Sequence, residues 1–341
     1  MENKVIAFTA PNTAQLLPCE MPTVTPGHVL IKTVISSISS GTERALLTGD
    51  ANISPSPDSV GKPVTFPRWP GYSSAGIVLE VGEGVTSVVP GDRAAVIDQP
   101  HKHYVCAPEK NVFKLTDNIS FSEAALWHIA TFPLAAIRKC HLEIGESAIV
   151  MGLGVLGMMA VKLLRAAGAT PIIAVDPVAD KRQWALENGA DFALDPFDPD
   201  FAKKAKEITG GGAAVGIEVT GIGKGLDGIL DCMAKFGRVA LLGCTRNSDF
   251  TIDYYRKVHG PGITLVGAHT NARPKIETYP GMWTRQDDTR ALLQLCATGR
   301  VEFASMVAEI HPAEEAPATY ARLAAERFFP VVQHDWSGVD E

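Results

Sequence analysis

No apolar run in the 341 residues approaches the roughly 18 that a membrane-spanning helix needs. The N-terminus, Met1-Glu-Asn-Lys-Val-Ile6, does not join a basic region to an apolar one, so no secretory signal is expected. Cysteine is sparse. Cys19, Cys106, Cys140, Cys232, Cys244 and Cys296 form no closely spaced framework, which fits reduced thiols and a cytoplasmic location. An excess of positive charge is missing too: the net charge of −7 argues against a nucleic-acid partner held by phosphate neutralisation, and no membrane partner is expected. Internal repeats and low-complexity segments are absent. What remains is a chain with 46% hydrophobic residues, ordinary for a globular protein and long enough for two domains.

The stretch Ala148-Ile-Val-Met-Gly-Leu-Gly-Val-Leu-Gly157 orders the rest. Strand residues run into Gly152, Gly154 and Gly157 at the spacing G-x-G-x-x-G, and Met158, Met159, Val161, Leu163 and Leu164 then recur at helical intervals. The first glycine allows a tight turn, the second lets backbone approach a pyrophosphate, and the third lets helix pack closely on strand. The anion would lie over the helix N-terminus at Val155, Leu156 and Gly157, where free N–H groups and the dipole favour it. A glycine turn without a ligand is the alternative. Against it, a second apolar strand, Pro171-Ile-Ile-Ala-Val175, ends in Asp176, near the roughly 20-residue offset of a ribose-binding acid. A carboxylate there binds the ribose 2′- and 3′-hydroxyls and repels a 2′-phosphate, which favours NAD. Lys181 and Arg182 follow closely and keep NADP open, although such residues more often form a solvated helix face.

Before this stretch the chain reads as short strands with Gly- and Pro-rich turns: Val5–Phe8, Gly27–Ile35, Ile77–Val81 and the segment through Ile97. Ser36–Arg44 reads as a polar loop and residues 50–70 as a surface loop. A compact, barrel-like β domain is expected. From Ser120 the period becomes helical through Ile137. Beyond Asp176, strands are expected at Phe192–Leu194, Ala214–Val219, Arg238–Gly243 and Ile263–Gly267, with helices at Phe201–Ile208 and Leu226–Ala234. That makes six strands of a doubly wound parallel sheet, an α/β fold. The tail carries a polar loop, a helix near Thr289–Ala297 and a last strand at Pro330–Val332.

This order of parts resembles the medium-chain dehydrogenase/reductase superfamily. The carrying residues are Ser40-Gly-Thr-Glu43, Pro70-Gly-Tyr-Ser-Ser-Ala-Gly76, Val81-Gly-Glu-Gly-Val85, Val89-Pro-Gly-Asp-Arg93 and Gly152–Gly157. The resemblance covers nearly the whole chain. It implies a GroES-like β-rich catalytic domain over residues 1–123 and 269–341, a Rossmann dinucleotide-binding domain over 124–268, substrate in the cleft, and a homodimer or homotetramer. Alcohol dehydrogenases of this superfamily commonly hold a catalytic zinc, yet the matching positions here are Ser40 for a cysteine, Tyr72 for a histidine and His128 for the third ligand. A hydroxyl, a phenol and one imidazole make a poor zinc site. The four-cysteine structural-zinc lobe is also missing, since only Cys106 lies in that region. A zinc-independent branch, with no metal, is expected.

Thr42 matches the hydroxyl that the family uses to pass a proton from the substrate alcohol; a loop-stabilising role is its alternative. His128 is an acid/base candidate by its aligned position and otherwise a core histidine. Tyr72 and Glu43 are expected to line the substrate pocket, with Ser40 and His101 beside them. His101, His103 and Cys106 have metal-like spacing but no evident fourth ligand. Thr220, Gly243 and Ala268, at later strand ends, are expected on the cofactor side. His269, Asn271, Arg273 and Trp283, after the sixth strand, suit a polyhydroxylated substrate; a dimer contact or plain surface loop is the alternative. The combined expectation is a cytoplasmic, NAD-dependent oxidoreductase that moves hydride between nicotinamide and a secondary alcohol or its carbonyl. A sugar, polyol or related hydroxylated metabolite is the expected substrate. An NADPH-dependent quinone or enone reductase is the second enzyme reading, and a non-catalytic nucleotide-binding relative the third. Asp176 counts against the former, and the hydroxyls and imidazole kept at the cleft against the latter.

Overall fold

The computed structural model describes residues 2–339. Two compact units divide the chain, one built from residues up to 129 together with those from 289 on, the other from residues 130–288.

The first unit begins with an antiparallel hairpin, β1 (Asn3–Ala10) and β2 (Thr13–Cys19). It continues with β3 (His28–Ser37), helix α1 (Ser40–Thr48), β4 (Ser73–Val81), β5 (Arg93–Ile97), β6 (Tyr104–Pro108) and β7 (Val112–Lys114). Strand alternation turns Val29, Ile31, Val78, Ala94, Val96, Val105 and Ala107 into one buried cluster. The polar loop expected over Ser36–Arg44 is corrected in two places. β3 runs on to Ser37, and from Ser40 the chain is helical. The Glu43 carboxylate accepts the Ser39 N–H at 2.8 Å and holds the first turn, and Gly49, left-handed at φ 74°, ends the helix. The helical stretch from Phe121 splits at Ala125-Leu126 into α2 (Phe121–Ala124), capped by Ser120 Oγ, and α3 (Trp127–Lys139).

The second unit alternates strand and helix: β8 (Ala148–Met151), α4 (Val155–Ala166), β9 (Ile172–Val175), α5 (Ala179–Glu187), β10 (Phe192–Leu194), α6 (Phe201–Thr209), β11 (Ala213–Glu218), α7 (Gly223–Asp231), β12 (Met233–Leu241) and β13 (Thr264–Gly267). The strands form one parallel sheet in the order β10-β9-β8-β11-β12-β13. β8 and β9 are buried throughout, which is why they read as unbroken apolar runs. The order reverses between β8 and β11, and doubly wound sheets take ligands outside the strand carboxyl ends at such a point.

The chain returns through α8 (Arg285–Ala297), β14 (Val307–Pro312), α9 (Ala316–Ala325) and β15 (Val331–Asp335). β15 pairs antiparallel with β3 and parallel with β14, so the sheet of the first unit runs β14-β15-β3-β4-β5-β7, with β6 also on β3. Tyr320, Leu323, Val332 and Trp336 from this return pack with Ile6, Phe8, Ile38 and Leu47 from the start of the chain. The fold is α/β: a β-rich unit and a six-stranded parallel sheet. Among the described residues no helix is long and apolar enough to cross a membrane.

Candidate functional site

The glycine loop is built by steric necessity. Gly152 has φ 99°, and a side chain there would crowd Thr220 Cγ2. A Cβ on Gly157 would overlap the Gly152 carbonyl oxygen. Gly154 caps α4 without any side-chain hydrogen bond, and open space lies where its Cβ would be. The first turn of α4, at Val155, Leu156 and Gly157, therefore presents backbone N–H groups beside the open space at Gly154, an arrangement that suits an anion.

Asp176 follows β9 and is buried. Its Oδ2 accepts the Leu153 N–H at 2.8 Å and its Oδ1 the Val178 N–H at 2.9 Å. The carboxylate thus ties the glycine loop to the strand end and keeps acceptor capacity on both oxygens. Arg182, on α5, donates to the Asp176 carbonyl at 2.7 Å and lies 3.4 Å from Asp195, while Lys181 beside it is half-buried. At the end of β11, Glu218 accepts the Thr220 hydroxyl and N–H and the Gly221 N–H. Burial pushes the Glu218 carboxyl above its ordinary range, against these hydrogen bonds. The Gly243 N–H donates to the Glu218 carbonyl at 2.8 Å, and the Ala268 N–H to Leu241 O at 3.2 Å. Gly152, Thr220, Gly243 and Ala268 therefore stand just past the carboxyl ends of β8, β11, β12 and β13.

In the first unit, Tyr72 precedes β4 and its carbonyl accepts the Asp98 N–H at 2.9 Å. The two residues add one rung beyond the Ser73–Ile97 pair of β4 and β5. His128 arrives from the second position of α3. Its ring centroid is 5.0 Å from that of Tyr72, and its Nε2 is 3.7 Å from Asp98 Oδ1. Ser40 and Thr42, both half-buried, sit in the first turn of α1.

Glu43 and His101, expected to face substrate, lie inside this unit instead. Glu43 is fully buried and accepts hydrogen bonds from Ser39 N–H and, at 2.5 Å, from the Tyr320 hydroxyl, with His101 Nε2 3.2 Å away. His101 Nδ1 lies 2.8 Å from Ser36 Oγ, which also accepts the Trp336 indole N–H at 2.9 Å. Burial and the Glu43 carboxylate push the Tyr320 phenol well above its ordinary range. His334 packs edge-on against His101 at 5.7 Å and neither of its ring nitrogens has a hydrogen-bond partner. Burial, then the neighbouring His101 and His311, hold it well below the ordinary imidazole range, so it is neutral. The His103 ring is tilted against Tyr104, centroids 4.2 Å apart, and stacked with Trp336 at 6.2 Å, while Cys106 lies on β6. Among the described residues no three of His, Cys, Asp and Glu are grouped to hold a metal ion.

The loop after β13 is anchored by charge. Arg273 donates to Asp288 at 3.3 Å and to Thr131 O at 3.1 Å, and Arg138 donates to the same Asp288 at 2.9 Å. Trp283 lies 3.6 Å from the Arg138 guanidinium, ring face on. Burial pushes the Asp288 carboxyl up, opposed by the two arginines. Arg273 and Trp283 thus hold the loop in place. His269 and Asn271 lie nearer its surface: the Asn271 N–H donates to His269 Nδ1 at 3.2 Å, and burial, then Lys139, holds that imidazole below its ordinary range.

A family model described as zinc-binding dehydrogenase matches residues 155–287. The D-guloside 3-dehydrogenase of Escherichia coli is 26% identical over 334 residues, covering 93% of this chain and 95% of its own. The (R,R)-butanediol dehydrogenase of Bacillus subtilis is 34% identical over 235 residues, covering 60% of this chain and 66% of its own. The crystal structure of galactitol-1-phosphate dehydrogenase from Escherichia coli superposes with a TM-score of 0.82 at 17% identity, over 98% of this chain and all of that one. The chain belongs to the medium-chain dehydrogenase/reductase superfamily.

Within that superfamily frame, the structure brings Tyr72 and His128 together and leaves Glu43 and His101 as an internal brace. It adds a residue that sequence reasoning missed, Asp98. The available signal was its place at the end of the apolar run Ala94–Ile97; the strand pairing sets it directly opposite Tyr72, 26 positions earlier in the chain.

Proposed function

We propose that this protein is an oxidoreductase that uses NAD to interconvert a secondary alcohol and its carbonyl, on a sugar, polyol or related hydroxylated metabolite, without catalytic zinc. The observation that carries the reading is the uncapped N-terminus of α4 behind Gly152, Gly154 and Gly157, with the Asp176 carboxylate fixed beside it. Bound there, the nicotinamide cofactor supplies or accepts a hydride. Asp176 favours the unphosphorylated ribose of NAD, and Arg182 is already drawn toward Asp195. The relatives named for a guloside, a butanediol and a galactitol phosphate support a hydroxylated substrate.

The donor set Ser40, Tyr72 and His128 does not fit zinc. It holds no thiolate, and the imidazole nitrogen is turned to Asp98. Charge on the substrate oxygen then falls to hydrogen-bond donors. His128 donates the proton in reduction and accepts it in oxidation, with the hydroxyls of Tyr72 and Thr42 as further donors. We place this activity in a cytoplasmic homodimer or homotetramer.

The test is a panel of sugars, polyols and aldehydes followed by nicotinamide absorbance with both cofactors, before and after prolonged chelation. Turnover with NADH in preference to NADPH, unchanged by chelation, is the expected result. A preference for NADPH overturns the cofactor reading, and stoichiometric zinc lost together with activity overturns the metal reading.

A further inference from the structure

We propose that Asp98 is the positioning residue of a Tyr72–His128–Asp98 acid–base unit, orienting the His128 imidazole and supplying the negative charge that lets it carry a proton. This deepens the function proposed above and rests on it. Placement supports it first. The Asp98 N–H is bonded to the Tyr72 carbonyl at 2.9 Å, so a sheet ladder fixes the spacing of the two residues. Backbone supports it next. Asp98 has φ 62°, a left-handed conformation that strains most side chains and that Asp and Asn tolerate best. A carboxylate kept in that conformation and meeting a buried imidazole points to a role beyond the turn.

Charge supports it last. His128 is 2% exposed and stands in the first turn of α3. Burial and the positive end of the helix both disfavour an imidazolium there, and a carboxylate 3.7 Å away favours it. The Asp98 side chain is 34% exposed and so reaches solvent as well as the imidazole. Two titratable groups of this unit face His128 at close range: the Tyr72 phenol, from the segment before β4, and Asp98, from the end of β5. Glu123 on α2 is turned away, accepting from Cys296 Sγ and from the N–H groups of Phe303 and Ala304. Farther along α3, Arg138 is bound to Asp288 and Lys139 to the carbonyls of Gly267 and Ala272.

In carbonyl reduction a bound reduced nicotinamide would supply the hydride, with its two electrons, to the substrate carbon. As the carbonyl π electrons move to oxygen, His128 gives that oxygen its proton, and water returns a proton to His128.

Asp98→Asn removes that charge and keeps a residue suited to the left-handed backbone. The expected result is an unchanged melting temperature and NADH affinity, and a turnover near pH 7 about tenfold lower. The alkaline limb of the reduction profile should move down by about one pH unit. Asp98→Glu should restore part of the loss. In parallel, ¹⁵N-histidine NMR of the full-length protein should show the His128 titration midpoint lowered by Asp98→Asn. A wild type without turnover on any carbonyl or alcohol brings down the function proposed above, and the NMR midpoint then judges the Asp98–His128 couple alone. An unmoved midpoint, or an active enzyme whose pH profile ignores Asp98→Asn, overturns the proposal.

Discussion

Asp176 has one observed job and one proposed, and a substitution there should show both. Its oxygens hold the Leu153 and Val178 N–H groups, and in the proposed function they are the acceptors offered to ribose. Asp176→Ser should weaken NADH binding by about 1.5–3 kcal/mol, tenfold or more, and narrow the gap to NADPH, as read by fluorescence titration. Because the loop loses an anchor as well, the melting temperature should fall too; an unchanged affinity would show that the carboxylate serves the loop alone. His128→Ala should cut turnover roughly 10²-fold with NADH affinity unchanged. Full turnover with a lowered melting temperature would instead mark His128 as a core residue.

At the scale of elements, α4 on β8 offers a contrast between two glycines of one motif. Gly157→Ala places a methyl into the Gly152 carbonyl and should destabilise the protein by about 1–3 kcal/mol, visible in thermal melts. Gly154→Ala meets open space, so the melt should hold while NADH affinity drops, because the methyl occupies the pyrophosphate approach. A Gly154→Ala protein that binds NADH normally would place the phosphates elsewhere. These elements were legible in the sequence because strands buried on both faces read as apolar runs, and β10 lies at Phe192–Leu194 as expected. α1 was not, since Ser40, Gly41 and Thr42 are weak helix formers and the turn depends on Glu43 reaching back to Ser39. β14 and α9 escaped because β14 buries no residue fully and α9 buries only one side. The fate of Glu43 was out of reach of local pattern, since its partner Tyr320 lies 277 residues away. The meeting of Asp98 with His128 likewise depends on a strand pairing rather than a motif.

For the whole molecule, the buried polar cluster gives stability a pH dependence with a definite sign. The His334 midpoint is depressed in the folded state, so above the ordinary imidazole range, near 6.5, both states are neutral and the full stability is present. Below it the unfolded chain binds a proton that the folded chain refuses, and stability falls by up to about 1.4 kcal/mol per pH unit. Melting temperatures should therefore drop between pH 7.5 and 5.5, and His334→Phe should flatten that drop while leaving an unpartnered polar ring out of the core. An equal pH slope in the variant would assign the effect to other groups.

The pairing of β15 with β3 has a consequence for how the protein is made. Ser36, Ser37 and Glu43 are translated before Trp336, Gln333 and Tyr320, which satisfy them and follow 277 to 300 residues later. Nascent chains hold the first unit open while the whole βα run from Ala148 to Gly267 is already complete enough to fold. During that interval the edge of β3 that β15 will cover has no strand to pair with, an open template for the wrong partner.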